Sequence, residues 1–240
     1  MKRRCLGFVL VAAIALAKPG AAWAQSTPQA GAVVRLLEAK YRDVRTLKAH
    51  FLQTYRDGRS GIQVESGTVY FSRPGRMRWE YESPESKLFM ADGKTVWFFV
   101  PADRTVTRSA MKESDDWRTP LALLTGKAKL PELCEKISLA SSPPNQVGVS
   151  VLECTPKGAT RGKSSPDTDV GDSLSPGSYD RVLLEIDSST GELADVRILQ
   201  QGGVELEFRF GQWQQGLPLQ ASMFHFQVPP GVAVVDGSSQ

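Results

Sequence analysis

The sequence predicts a mainly β protein, an antiparallel meander of short strands accompanied by two apolar helices. Three observations predict it. Residues 67–107, GTVYFSRPGRMRWEYESPESKLFMADGKTVWFFVPADRTVT, hold four strand-like runs separated by RPG, SPES, DGK and PADR, the turn chemistry of Gly, Pro, Asp and Ser. In the second run Met77, Trp79 and Tyr81 alternate with Arg76, Arg78, Glu80 and Glu82, which is the period of a half-buried strand. Near the other end Val204, Leu206, Phe208 and Phe210 alternate in the same way with Glu205, Glu207 and Arg209. The run Val96-Trp97-Phe98-Phe99-Val100 is apolar on both faces, so something must cover its second face.

Taken in order, residues 29–47 read as a helix, because Val33, Leu36, Leu37, Tyr41 and Val44 recur on one side with Arg35, Glu38, Arg42 and Asp43 opposite. Strand-like content follows at 49–56, a turn at Asp57-Gly58, then Ile62–Glu65 and Thr68–Ser72. A second helix is predicted near 115–125, capped by Asp115 or Asp116, carrying Trp117, Leu121, Leu123 and Leu124, and ended by Gly126. Pro131–Lys136 reads as one further helical turn. Val182, Leu184 and Ile186 alternate in a strand, Ser188–Gly191 turns the chain, and Leu193–Gln200 returns it. Phe224–Val228 is the last predicted strand, stopped by Pro229-Pro230-Gly231. Residues 156–178, rich in Gly, Ser, Pro, Asp and Thr, cannot bury enough surface to offset their ordering entropy and read as a loop interrupting one domain, 25–240.

Residues 1–24 carry the marks of a signal peptide. Lys2, Arg3 and Arg4 precede an apolar run over Cys5–Ala17, and Ala22-Trp23-Ala24 fits a cleavage site. The apolar run is too short to span a bilayer, and no cysteine follows the cleavage site to carry a lipid, so export as a soluble protein is expected. The leader holds four of the 29 basic residues and none of the 26 acidic ones, which leaves 25 against 26 and a formal charge of −1. Nucleic acid and anionic membrane surfaces are therefore not expected partners. Cys134 and Cys154 remain, and in an oxidising compartment a disulfide is the natural reading, worth roughly 3 kcal/mol in the chain-entropy model. A zinc site is the weaker alternative, since two cysteines and two distant histidines make no ligand set.

Catalytic constellations are thin. The chain has no Gly-x-Ser-x-Gly elbow, His-Glu-x-x-His, phosphate loop or dinucleotide fingerprint, and its two histidines, His50 and His225, read as structural. No enzyme, cofactor or metal is expected. The excess of apolar surface fits either one closed sandwich core or a concave sheet under helices that move aside. The second arrangement would hold acyl chains, at about 0.8 kcal/mol per buried methylene and with no directional demand.

Several motifs in order resemble the periplasmic outer-membrane lipoprotein carrier family, LolA. They are Phe51-x-Gln53 with Asp57-Gly58, Gly67–Trp79 containing Arg73-Pro74, Asp92-Gly93-Lys94-Thr95-Val96-Trp97, Thr119–Leu124, and Pro229-Pro230-Gly231-Val232. The resemblance implies an incomplete, unclosed antiparallel β-barrel with an α-helical lid over an apolar cavity. It implies carriage of acylated lipoproteins from an inner-membrane ABC-type releasing complex to an outer-membrane receptor, without covalent chemistry, by a monomer. By position, Arg73 matches the arginine that fastens the closed lid, and Tyr41, Trp79 and Leu121–Leu124 match cavity or lid-lining positions. Met77 stands where the family often has an aromatic residue. Trp97 and Phe99 join the lining set on strand alternation alone. The 156–178 loop and the Cys134–Cys154 pair look like additions to the family pattern. Related sheets also serve as lipid-binding regulators and as glycolipid or outer-membrane assembly factors, which is the alternative function.

Overall fold

The computed structural model describes residues 28–58, 61–111, 122–126, 129–141, 147–157 and 179–237 of the 240-residue chain. The predicted signal peptide, the first part of the predicted second helix including Leu121, and most of the predicted 156–178 loop lie outside the described residues.

Helix α1 (Pro28–Tyr41) leads into β1 (Thr46–Asp57), β2 (Gly61–Ser72), β3 (Arg76–Ser83), β4 (Lys87–Ala91), β5 (Thr95–Val100) and β6 (Thr105–Ala110). Short helices α2 (Ala122–Thr125) and α3 (Leu130–Leu133) precede β7 (Cys134–Leu139), β8 (Val149–Pro156), β9 (Tyr179–Asp187), β10 (Leu193–Gln200), β11 (Glu205–Gln215) and β12 (Ala233–Asp236). These twelve strands form one sheet, in the order β12-β6-β5-β4-β3-β2-β1-β11-β10-β9-β8-β7. The two ends of that order do not pair, so the sheet is unclosed.

The predicted alternation of β3 is the observed one: Met77, Trp79 and Tyr81 are buried while Glu82 is exposed. Asp92 makes the DGK turn by accepting the Lys94 and Thr95 N–H groups at 2.8 Å each. Four expectations need correction. The first helix ends at Tyr41, not 47, because the Arg45 carbonyl is taken by the Arg73 N–H at 2.9 Å and pairing of β1 begins at Thr46. The helical turn predicted over Pro131–Lys136 is α3 only as far as Leu133, and Cys134 opens β7. Strands β7 and β8 were not predicted; they are pinned by a disulfide between Cys134 and Cys154. Phe224–Val228 is not a strand, and the last strand is instead β12, parallel to β6.

The sheet bends sharply around one face. Trp79 on β3 and Phe208 on β11 are three inter-strand steps apart, about 14 Å along a flat sheet. Their ring centroids lie 5.3 Å apart. Only strong curvature brings them together, and small residues on the strands between, Gly67 and Ala49, leave room on the inner side. A Cβ on Gly67 would fall 1.9 Å from the Glu80 carbonyl oxygen.

Helix α1 closes one end of this concave face, burying Val34, Leu37 and Tyr41. Its seat is the turn Asp187–Gly191, where Ser189 and Thr190 hydrogen bonds hold the Asp187 carboxylate down to about 2. Gly191 has φ +75°, and a Cβ there would lie 2.5 Å from the Leu36 carbonyl oxygen. Gly191→Ala is expected to cost about 2–4 kcal/mol, combining a left-handed backbone with overpacking, as read by urea denaturation. A loss under about 0.5 kcal/mol would mean that α1 is not seated on this turn.

The convex face of β9–β11 carries an ionic lattice. Arg56 contacts Glu205 at 2.7 Å and Glu207 at 3.2 Å, Arg209 contacts Glu207 at 2.9 Å, and Arg197 contacts Glu185 at 2.8 Å. Asp195 lies among them, 3.6 Å from both Arg197 and Arg209. Burial first, then the Glu207 and Glu185 carboxylates, push its carboxyl up to about 8. A carboxyl raised in the folded state keeps a proton that the unfolded chain releases at its ordinary value of 3.8. Its stabilising share is therefore complete below that value and is lost progressively as pH rises through about 8. Asp195→Asn is expected to lie near the wild-type Tm at about pH 4 and to exceed it by several degrees at about pH 9. A difference in Tm that stays constant across that range would show that folding does not raise the Asp195 pKa.

Candidate functional site

The concave wall is built from alternate residues of adjacent strands. Register aligns Leu47, Ala49 and Phe51 of β1 with Phe71, Val69 and Gly67 of β2, and these with Met77, Trp79 and Tyr81 of β3. From the far side, Phe208 and Phe210 of β11 face the same space. Trp79 is the hub. Its ring meets Phe51 at 4.8 Å, Phe208 at 5.3 Å, Phe210 at 6.1 Å and Phe71 at 6.2 Å, mostly edge to face. Its indole Nε1 is buried with no hydrogen-bond acceptor among the described residues.

Arg73, just past the end of β2, ties the helices to this wall. Its Nε donates to the Leu124 carbonyl at 3.0 Å and its Nη2 to the Leu123 carbonyl at 3.1 Å, while Nη1 donates to the Tyr41 carbonyl. One guanidinium thus joins α2, with Leu123 and Leu124 buried, to the C-terminal end of α1. A planar group with five donors can serve three carbonyls at once, whereas an ammonium could not hold that fork. The Gly75 N–H adds a fourth tie, to the Thr125 carbonyl at 2.9 Å. Gly126, at φ +71°, lies so close to the Arg73 stem that a Cβ would come within 2.9 Å of Cδ. Burial pulls the Arg73 guanidinium down from its ordinary value, which Tyr41 opposes.

Tyr41 has two attachments besides. Its hydroxyl accepts the Leu193 N–H at 3.0 Å, and its ring lies 5.9 Å from Trp213. Burial raises its pKa far above the ordinary tyrosine value. Trp213, which sequence reasoning passed over, donates to the Leu193 carbonyl at 2.9 Å and stacks on Phe71. It lies just past the clean alternation of β11, where a register shift in the β1 pairing at Lys48/His50 hides its facing.

The structure brings Tyr41, Arg73, Met77, Trp79, Leu123 and Leu124 to one face. It does not bring Trp97 and Phe99 there. Register pairs Trp79 with Phe89 and Phe89 with Phe98, so Phe98 faces inward and its two neighbours face outward. Trp97 and Phe99 are covered by Phe226, at 5.2 and 5.7 Å, from the segment predicted to be a strand. Arg76 on the Phe224 ring and Arg78 donating to the Met223 carbonyl at 3.1 Å hold that segment on the convex side. His50 and His225 are both exposed. Among the described residues no cluster of three or more His, Cys, Asp or Glu side chains could hold a metal, and no helix is long and apolar enough to cross a membrane.

An unclosed, mainly antiparallel half-barrel whose apolar inner face is covered by helices held on one arginine defines a class of fold. The comparison with known sequences specifies it. The profile described as "Outer membrane lipoprotein carrier protein LolA" matches residues 42–227, and the chain belongs to that family. It is 32% identical to the outer-membrane lipoprotein carrier protein of Dechloromonas aromatica over 86% of this chain and 88% of the relative. With the corresponding protein of Chromobacterium violaceum the identity is 30% over 96% and 98%. A crystal structure of an uncharacterized conserved protein from Thermus thermophilus shares the fold at a TM-score of 0.52 and 12% identity, covering 87% of this chain and 99% of that one.

Proposed function

We propose that this protein is a periplasmic carrier that shields the acyl chains of lipoproteins released from the inner membrane and delivers them to the outer membrane. The observation that carries the reading is the Arg73 fork. This side chain joins α1 and α2 at the rim of the apolar wall through backbone carbonyls, which are few, polar and separable without disturbing the sheet. In this reading Arg73 is the latch of a lid, and Tyr41, Met77, Trp79, Leu123 and Leu124 form the lining that acyl chains displace when the latch opens. The membership in the lipoprotein carrier family and the export signal at residues 1–24 support it. An ATP-driven inner-membrane complex would load the carrier and an outer-membrane receptor would empty it. The task is transfer, with no bond made or broken.

The test is incubation of the mature chain with inner-membrane vesicles containing its native releasing complex and ATP. A soluble complex of this protein with acylated lipoprotein is expected. Failure to release lipoprotein overturns the proposal, and a stable protein partner with no extracted lipid would favour a lipid-binding regulator or an assembly factor.

A further inference from the structure

The inner wall changes character over one inward step across four neighbouring strands. On β1 the inward series Leu47, Ala49, Phe51 continues to Gln53, and on β2 the series Phe71, Val69, Gly67 continues to Glu65. On β3 and β4, Tyr81 pairs with Lys87 one inward step nearer the apolar wall, since Tyr81 lies opposite Gly67. The four side chains form a continuous hydrogen-bonded row. The Tyr81 hydroxyl donates to Gln53 Oε1 at 2.8 Å, Gln53 Nε2 donates to Glu65 Oε2 at 2.9 Å, and Lys87 Nζ donates to Glu65 Oε1 at 2.6 Å. Glu65 and Lys87 keep 17% and 23% of their side chains in contact with solvent, so the row lies at the edge of the apolar wall and not within it. Arg73 and the helices close the opposite end.

We infer that this row receives the polar end of the cargo, the ester and amide carbonyls of an acylated N-terminal residue, while the acyl chains run from it along Trp79 and Phe71 toward Arg73. The inference rests on the carrier reading above. An amphiphile bound to a wall that is apolar at one end and polar at the other has only one orientation that leaves no carbonyl unpaired. The row can accept such a group because Lys87 has three donors, of which the Glu65 carboxylate takes one and Glu85, 3.9 Å away, holds another only loosely. Its one ammonium faces the Glu65 carboxylate at 2.6 Å and the Glu85 carboxylate at 3.9 Å, so the row carries no positive excess and gives an anionic phosphate headgroup no advantage over neutral carbonyls. The Trp79 indole N–H, two residues along β3 from Tyr81 and lacking an acceptor among the described residues, is a second donor facing carbonyl-bearing cargo once the rings part.

The experiment uses the full mature chain and three probes: a synthetic triacylated cysteinyl peptide, a fluorescent hydrocarbon of equal chain length without ester or amide groups, and dispersed phosphatidylglycerol. The paired replacement Glu65→Leu with Lys87→Met removes both charges together, and Gln53→Ala is the milder single change. Melting curves confirm folding of each. The expected result is lipopeptide affinity about tenfold weaker in the paired variant, the worth of about one net hydrogen bond, with hydrocarbon binding unchanged. Gln53→Ala should show a smaller loss of the same selectivity. Unchanged lipopeptide affinity in folded variants overturns the inference alone, as does equal weakening toward lipopeptide and hydrocarbon. Phosphatidylglycerol has ester carbonyls of its own, so its affinity should also fall in the paired variant, and a paired variant that binds it as tightly as wild type does overturns the carbonyl assignment. A wild-type chain that binds no lipopeptide overturns the carrier reading and this inference with it.

Discussion

Arg73→Leu is expected to release α2 from the sheet while leaving the sheet itself folded. Leucine removes the donors to the Leu123, Leu124 and Tyr41 carbonyls at once and leaves the Gly75-to-Thr125 hydrogen bond to hold α2 against the 72–76 turn. Hydrogen exchange at the Gly75 and Gly126 amides should accelerate strongly, with the β1–β2 ladder still protected. Global stability should fall by about 1–3 kcal/mol, since the guanidinium is half-buried and the freed carbonyls can meet water once the helices separate. Bound lipopeptide should leave the variant faster or fail to be enclosed, and Arg73→Lys should recover part of the effect by serving one carbonyl. If α2 exchange and lipopeptide release both match wild type, Arg73 is not a latch. If the whole sheet loses protection together, Arg73 is a structural tie.

Trp79→Ala should produce the larger loss of stability, about 3–5 kcal/mol, the range for removing a large aromatic side chain from a packed interior. Trp79 is fully buried and touches rings from β1, β2 and β11, so it bridges parts of the sheet that local pairing does not join. Its removal deletes the contact that favours the bend, and the near-ultraviolet circular dichroism of the aromatic cluster should weaken with it. Trp79→Phe should retain more than half of the lost stability, because the remaining ring still spans to Phe208. A change below about 1 kcal/mol for alanine would show that the aromatic cluster is loose and already available to ligand. Since the same ring is the proposed wall for acyl chains, the two substitutions separate closure from packing: Arg73 acts on the cover and Trp79 on what is covered.

Much of the sheet was legible because a period of two leaves its mark wherever one face is buried. The alternation over 76–82 and the turn residues between runs appear in the folded chain as read, whereas in β11 Glu207, on the polar side of the alternation, is buried between Arg56 and Arg209. Strands β7 and β8 escaped because CEKISL and VSVLECTP carry no sustained alternation, and what holds them is the Cys134–Cys154 link and pairing to β9, which are both non-local. The outer face of the run Val96–Val100 is covered by Phe226 from far along the chain and not by a helical lid, while Phe98 on the other face stays exposed. Alternation assigns Trp97 and Phe99 to one face and Phe98 to the other. Which face is the inner one depends on the pairing Trp79–Phe89–Phe98, and a slip of one residue would reverse it.

Local period, turn chemistry and motif suffice to say which residues form half-buried strands, where the chain turns, and which two cysteines lie beyond the predicted leader. By resemblance they also assign Arg73 to the machinery of a lipoprotein carrier. The curvature that brings Trp79 to Phe208, the three carbonyls that meet on Arg73, and the polar row of Gln53, Glu65, Tyr81 and Lys87 belong to the folded chain alone. Each of these joins strands or helices through pairing register and bend. Arg73 and its two partners in α2 are 51 and 50 residues apart, and their encounter is fixed by the bending of the sheet upon itself and by no feature of either segment alone.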